Sequence, residues 1–452
     1  MLAGLARDGG LYVPESWPQF TPDDIAALAG LPYAEAAYRV MRGFVGEDIG
    51  DREFAGIVED AYRTFDHPDV APLVEIGSQT WILELFHGPT LAFKDIAMQL
   101  LARLMDRALA RRGERVTIVG ATSGDTGGAA VEAFAGREAI DIFILHPHGR
   151  VSDVQRRQMT GATEANVHNI AIEGTFDDCQ ALVKALFNDH ALRDRLALAG
   201  VNSINWARIM AQTVYYFTAA AALGAPDRAV SFTVPTGNFG DIFAGYVAAQ
   251  MGLPISRLVI ATNENDILAR TLASGRYQPK GVIATTSPSM DIQVSSNFER
   301  LLFEVSERND ERVRSMMGDL GESGAIELTP AELQRIRAQF TAHSIDQDET
   351  AQTINRLYKE LGYIADPHTA VGVAASAREK LGGDAAMVVL GTAHPAKFPD
   401  AVTRACGKAP EIPDRLMKRL RAEEHYDVLA NDYTVLADYL TERTRAVAEP
   451  QS

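Results

Sequence analysis

The chain has 452 residues, 46% of them apolar and 23% charged, and carries a formal net charge of -17. That length exceeds a single core and suits two or three domains. The acidic balance argues against nucleic acid or an anionic membrane surface as a partner, because both select clustered Lys and Arg. The two cysteines, Cys179 and Cys406, stand far apart and outside any CxxC pattern, which argues against a disulfide framework or a thiolate zinc site and fits a reducing cytoplasm. No apolar run approaches the length of a membrane span, and no signal peptide stands at the start.

Residues 1–75 read as an N-terminal helical region. In "FTPDDIAALAG", Thr21 is placed to cap a helix, with Pro22 at its first position and acids in the first turn. Residues 76–212 form a first α/β block. It opens on "ELFHGPTLAFKDIAMQLLARLM", where Lys94 sits at the joint of a strand-like and a helix-like run. The strands "RVTIVGA", "IDIFILHP" and "NVHNIAIEG" follow, alternating with the helices "GGAAVEAFAG" and "TFDDCQALVKALF". Residues 213–452 form a second, larger block with the strands "AVSFTVPTG", "SRLVIATNEN" and "AAMVVLGTAHP". Residues 305–365 are expected to be mostly helical, with Thr329 and Glu332 as a capping box, and the charged tail after "GKAPEIPDRL" to be a helical cover. Short Val- and Ile-rich runs, each followed by a helix, predict an α/β fold. It has two open, mostly parallel sheets covered by helices, and helical N- and C-terminal additions.

Ligands of such sheets bind beyond the C-terminal ends of strands, so the residues after each strand are the candidates. In "VPTGNFGDIF", Thr236, Gly237, Asn238, Phe239 and Gly240 make a turn into a helix, where converging backbone N–H groups and the helix N-terminus suit a phosphate. Taken alone, such a turn is more often only structural, with Asp241 as its cap. The loop "GATSGDTGGAA" offers Thr122, Ser123, Gly124 and Thr126 to an anion of carboxylate size, while Asp125 inside it argues against a phosphate. "VNSINWARIMAQ" sets Asn202, Ser203, Asn205 and Arg208 beside an apolar helix. Arg grips phosphate in a bidentate manner, although the same residues also read as helix caps and a wet-face arginine. In "VVLGTAHPAKF", Thr392 leaves a buried strand with its hydroxyl toward the sheet edge, and His394 has no HxxxH or Cys partner, so no metal is expected. Lys94 follows a Gly-Pro turn and apolar residues, where desolvation frees a neutral amine for use as a nucleophile or base. Each motif is weak alone. Together, a Schiff-base lysine, a phosphate cradle and a hydroxyl for a ring nitrogen are what pyridoxal 5′-phosphate needs.

Six stretches then resemble one family. "HGPTLAFKD", "SGDTGGAA", "NSINWARI", "PTGNFGD", "SPSMDIQVSSNFERL" and "GTAHPAKF" are similar, in order and over nearly the whole chain, to the threonine synthase family of fold-type II (tryptophan synthase β-like) pyridoxal-phosphate enzymes. The resemblance implies conversion of O-phospho-L-homoserine and water to L-threonine and phosphate by γ-elimination and β-addition of water, in a cytoplasmic monomer. It implies that Lys94 anchors the cofactor and shuttles protons, that Gly237 to Gly240 with Thr236 hold the cofactor phosphate, and that Thr392 meets the ring nitrogen. It further implies that the Thr122–Thr126 loop holds the substrate carboxylate and that Asn202, Ser203 and Arg208 hold its phosphate. Asp125 would lie near the ring's phenolic oxygen, where fold-type II relatives often have Asn, and its role is left open. Members of this branch usually carry an N-terminal strand with a Ser-Thr-Arg-Gly-like motif before "LARDGGLYVP", and this chain starts inside that region. A pyridoxal-phosphate phospholyase or dehydratase on the same scaffold is the nearest alternative, and a non-catalytic phosphate-binding module a more distant one.

Overall fold

A computed structural model describes residues 4–446, apart from Arg7, Ser123, Val201 and Leu381. In chain order the strands are β1 Leu73–Gly77, β2 Thr80–Glu84, β3 Val116–Ala121, β4 Ile140–Pro147, β5 Val167–Glu173, β6 Leu198–Ala199, β7 Val230–Pro235, β8 Ile255–Thr262, β9 Arg276–Tyr277, β10 Ile326–Glu327, β11 Phe340–Ser344, β12 Ala386–Gly391 and β13 Asp427–Ala430. They fall into two compact units that interleave along the chain. One comprises residues 4–10, 88–207 and 412–446, and the other residues 11–87 and 208–411. This grouping differs from the three consecutive stretches expected above: the N-terminal helices join the larger unit and the C-terminal tail joins the smaller one.

The smaller unit is built on a five-stranded, wholly parallel sheet in the order β13-β5-β4-β3-β6. Every residue of β4 is buried, as a strand covered on both faces requires. On one face Phe143, Leu145, Ile170 and Ile172 pack with Cys179, Leu182 and Leu186 of helix Phe176–Asn188 and with Leu436 and Leu440 of helix Tyr433–Arg443. Cys179 is thus a core residue, and burial pushes its thiol up to about 11, far from reactivity. The tail is more than a helical cover, because β13 pairs in parallel with β5 and closes the sheet edge. Arg156, bonded to Glu424 at 2.8 and 3.0 Å, and Arg445, bonded to Asp141 at 2.7 Å, pin it in place.

The larger unit has a six-stranded sheet in the order β1-β2-β12-β7-β8-β11, antiparallel only at β1–β2. Ile82, Val259, Leu357, Met387 and Val389 form the core of one face. β11 lies inside the stretch expected to be mostly helical. Its sequence, "FTAHS", is short and half polar, and the strand exists because the exposed edge of β8 pairs with it. The helix caps match their sequence signals: Thr21 and Thr329 both make complete capping boxes, each with Pro at the start of the helix. No helix among the described residues is long and apolar enough to cross a membrane.

Candidate active site

In the smaller unit, Lys94 is the first residue of helix Lys94–Arg112 and is nearly buried, at 9% exposure. The turn that delivers it is strained, with Leu91 at φ 61°. Asp95 holds this turn by accepting from Thr90 N and Thr90 Oγ1, both at 2.7 Å. Lys94 Nζ lies 5.0 Å from the centre of the Phe93 ring and 4.0 Å from Asp125 Oδ2. The positive end of the helix opposes a charge on Nζ, and the carboxylate favours one.

Asp125 opens helix Asp125–Phe134 after β3. Thr122, expected to meet a carboxylate, instead spends its hydroxyl on the loop itself. It accepts from Gly124 N and Gly127 N, both at 3.0 Å, and donates to Gly124 O at 3.2 Å. Gly124 and Thr126 stand at the helix start, with Thr126 partly exposed; Ser123 lies outside the described residues. Asn202 Oδ1 accepts from Ile204 N at 3.3 Å and Asn205 Oδ1 from Ala207 N at 3.0 Å. These two asparagines therefore do build the turn into helix Trp206–Ala222, while Ser203 is partly exposed in it.

In the larger unit, Arg208 is 4% exposed, contrary to the wet-face alternative. Its Nε and Nη1 are buried without a hydrogen-bond partner among the described residues. Burial pulls its pKa down to about 10, and the neighbouring Tyr215 phenol partly offsets this, so the guanidinium remains charged at neutral pH. An unpaired buried cation is expensive unless an anion compensates it.

The loop after β7 is held from behind. Gly237 O accepts from Ser295 Oγ at 2.6 Å, Asn238 O accepts from Asn297 N and Nδ2 at 3.0 Å each, and Asn238 Oδ1 accepts from Ser296 Oγ at 3.2 Å. These bonds fix the turn through its oxygens, and Thr236 N is committed to Ala261 O at 2.8 Å. Phe239, at φ 63°, supplies the left-handed residue that an anion nest uses, and helix Gly240–Gln250 follows. A Cβ on Gly237 would come within 2.8 Å of Ser289 O. Thr236 is buried and donates to Val234 O at 2.6 Å. Asp241 does not cap the helix; it accepts from the hydroxyls of Tyr215 and Tyr216. β7 and β12 run parallel with Thr233 opposite Val389, so Thr236 and Thr392 leave neighbouring strands side by side. The Thr392 hydroxyl makes no hydrogen bond among the described residues.

His87 bonds Glu84 at 2.8 Å, and Tyr363 donates to the same carboxylate at 2.9 Å, which gives this histidine a structural role. Burial first, and then the charge of His87, lowers His394 to about 4, so it is neutral at neutral pH. No group of described His, Cys, Asp or Glu residues is arranged to hold a metal ion. The sequence reading missed Ser295, Ser296 and Asn297 as the clamp behind the phosphate loop, and Gln155 and Gln158 on helix Asp153–Thr160. Two glutamines three apart on one short helix were the available signal.

Residues 69–392 match the family described as pyridoxal-phosphate dependent enzyme. Residues 1–62 and 369–440 match the threonine synthase N terminus and the threonine synthase C-terminal region. The chain is 53% identical to threonine synthase of Pseudomonas aeruginosa, over 98% of this chain and 94% of that one. The chain belongs to the threonine synthase family of pyridoxal-phosphate-dependent enzymes. Saccharomyces cerevisiae threonine synthase is 42% identical over 90% of this chain and 85% of that one. The crystal structure of pyridoxal-phosphate-bound threonine synthase from Brucella melitensis superposes with a TM-score of 0.96 at 60% identity, covering 98% of this chain and 96% of the other. The fold is therefore that of fold-type II enzymes, the cofactor is pyridoxal phosphate, and the activity is that of a threonine synthase, a carbon–oxygen lyase acting on phosphates. The residues present fit this cofactor: a near-buried lysine at a helix start, a turn before a helix whose Gly237 has no room for a Cβ against Ser289 O, and a threonine one residue beyond β12 whose hydroxyl has no hydrogen bond among the described residues.

Proposed function

We propose that the chain converts O-phospho-L-homoserine and water to L-threonine and phosphate, with the residue roles that follow. Lys94 is the residue that joins the cofactor. Gly237, Asn238, Phe239 and Gly240, with Thr236, hold the cofactor phosphate, and Thr392 donates to or accepts from its ring nitrogen. When bound, pyridoxal phosphate supplies the conjugated ring that takes up the electrons released at Cα. Lys94 Nζ takes the proton from Cα and serves again at Cβ and Cγ. Its place at the positive end of a helix favours the neutral amine that this work needs. A Cβ proton is removed, the Cγ–O bond breaks and phosphate leaves, Cγ gains a proton, water adds its oxygen at Cβ and gives up a proton that balances the phosphate, and Cα regains a proton. Arg208 receives the charge of the leaving phosphate, with Asn202 and Ser203 as further donors. Asn205 acts as the cap that sets the start of the Arg208 helix. Gly124 and Thr126, at a helix N-terminus, orient the substrate carboxylate.

The single observation that carries this reading is Arg208: a buried, charged guanidinium with two nitrogens that have no hydrogen-bond partner among the described residues, in an enzyme of this family. It favours a phosphorylated substrate over the unphosphorylated substrates of a dehydratase. Purified protein loaded with pyridoxal phosphate is expected to release phosphate from O-phospho-L-homoserine, and Lys94→Ala to lose both that release and the visible absorption of the bound cofactor. Phosphate release that persists in Lys94→Ala contradicts the assignment. We further read the enzyme as a cytoplasmic monomer; a light-scattering mass of two chains would count against that.

A further inference from the structure

Helix Asp153–Thr160 carries none of the residues assigned above, yet its two buried glutamines reach both sides of the lysine. Gln158 Nε2 donates to Thr90 O at 3.1 Å, in the turn that delivers Lys94. Gln155 Nε2 donates to Asp125 Oδ1 at 3.0 Å. The orientation of the Gln155 amide is fixed from the other end, because Ser152 Oγ donates to Gln155 Oε1 at 3.0 Å. Only the NH2 group is then left for the carboxylate. Gly124 permits the approach, since a Cβ there would run into this amide. Asp125 therefore gives one oxygen to Gln155 and turns the other, Oδ2, toward Lys94 Nζ at 4.0 Å.

A donor on Oδ1 favours the ionised carboxylate and fixes its plane, and an ionised carboxylate this close favours a protonated nitrogen on Lys94. The other charged groups nearby in this unit are engaged elsewhere: Asp95 is bonded to Thr90, and Arg156 to Glu424 and Asp153. We propose that Gln155 is a positioning residue that keeps Asp125 ionised and aimed at Lys94 Nζ, and so sets the pH at which that nitrogen changes its protonation. This rests on the reading of Lys94 as the cofactor lysine and gives Asp125 the role that the sequence left open. Gln155 touches Asp125, so it acts on Lys94 through the carboxylate.

The test is a pH titration of the visible absorption of the pyridoxal-phosphate-loaded protein, for the parent, Gln155→Met, Asp125→Asn and Gln158→Met, with Gln155→Leu in reserve should the Met variant not load. The midpoint is expected to fall by about one pH unit in Asp125→Asn, to fall by a smaller amount in the Gln155 variants, and to stay in place in Gln158→Met. Gln158 is as buried and sits on the same helix, so it reports what packing alone does. A midpoint unchanged in the Gln155 variants overturns the positioning role and leaves the cofactor reading intact. An equal shift in Gln158→Met assigns the effect to helix packing and also overturns it. No visible band in the parent overturns the cofactor reading, and this proposal with it.

Discussion

Arg208 concentrates the trade between stability and function in one side chain. It is buried, charged and short of partners in the protein alone, so the folded state bears its desolvation until an anion arrives. Replacing it by the similarly long, apolar Met is expected to raise the melting temperature of the cofactor-free protein. The same change is expected to lower kcat/KM for O-phospho-L-homoserine by about 10²- to 10³-fold, the scale of losing charge-assisted bonds to a phosphate. Melting curves and steady-state kinetics on one preparation check both signs. The sequence named Arg208 but left it between a wet helix face and a phosphate grip; its burial favours the second. For Asn205 the structure supports the plainer alternative, since its side-chain oxygen caps a backbone N–H group; the Asn202 oxygen does the same, and only its NH2 group serves the proposed phosphate contact. Asp125 and Lys94 were legible as candidates. Gln155 was not, because its partner is thirty positions away and no local pattern encodes that contact.

At the scale of elements, the loop from Thr236 to Gly240 is a turn whose direction is imposed by a distant segment, Ser295–Asn297, pulling on its carbonyls. Its glycine is required by space. Gly237→Ala would set a methyl group against Ser289 O and Met290 Cα, so the turn must shift and its N–H groups diverge. The expected outcome is pyridoxal-phosphate affinity at least about tenfold weaker, the equivalent of one lost hydrogen bond to a charged group, with the fold retained; fluorescence titration and circular dichroism check it. Long buried strands such as β4 and β7 were readable as apolar runs, and the capped helices at Thr21 and Thr329 as local signals. β6, β11 and β13 were not. Each is a short or half-polar piece at a sheet edge, and pairing with a neighbour makes it a strand. A sequence read locally records propensity, and at edges the tertiary partner overrides it.

At the scale of the molecule, buried histidines link stability to pH. His394 is depressed to about 4, and burial also lowers His146 and His168. An unfolded histidine protonates near pH 6.5, so between that pH and the lower folded values the unfolded chain binds more protons than the native one. Stability therefore falls as pH falls through this window and levels off below the folded pKa values. For His394 the loss is below about 3 kcal/mol, because the ring keeps some exposure. The melting temperature is expected to drop between pH 7 and pH 5, with a shallower slope in His146→Phe, whose imidazole is only 1% exposed. A slope unchanged in that variant would assign the acid sensitivity elsewhere.

Fold, cofactor and family converge on one reaction, and its outcome is measured by what becomes of the substrate carbon. Purified protein with pyridoxal phosphate and O-phospho-L-homoserine should yield threonine and phosphate in equal amounts, with no more than traces of 2-oxobutyrate. Phosphate matched by 2-oxobutyrate, with threonine absent, would contradict the proposed addition of water at Cβ and make the chain a phospholyase.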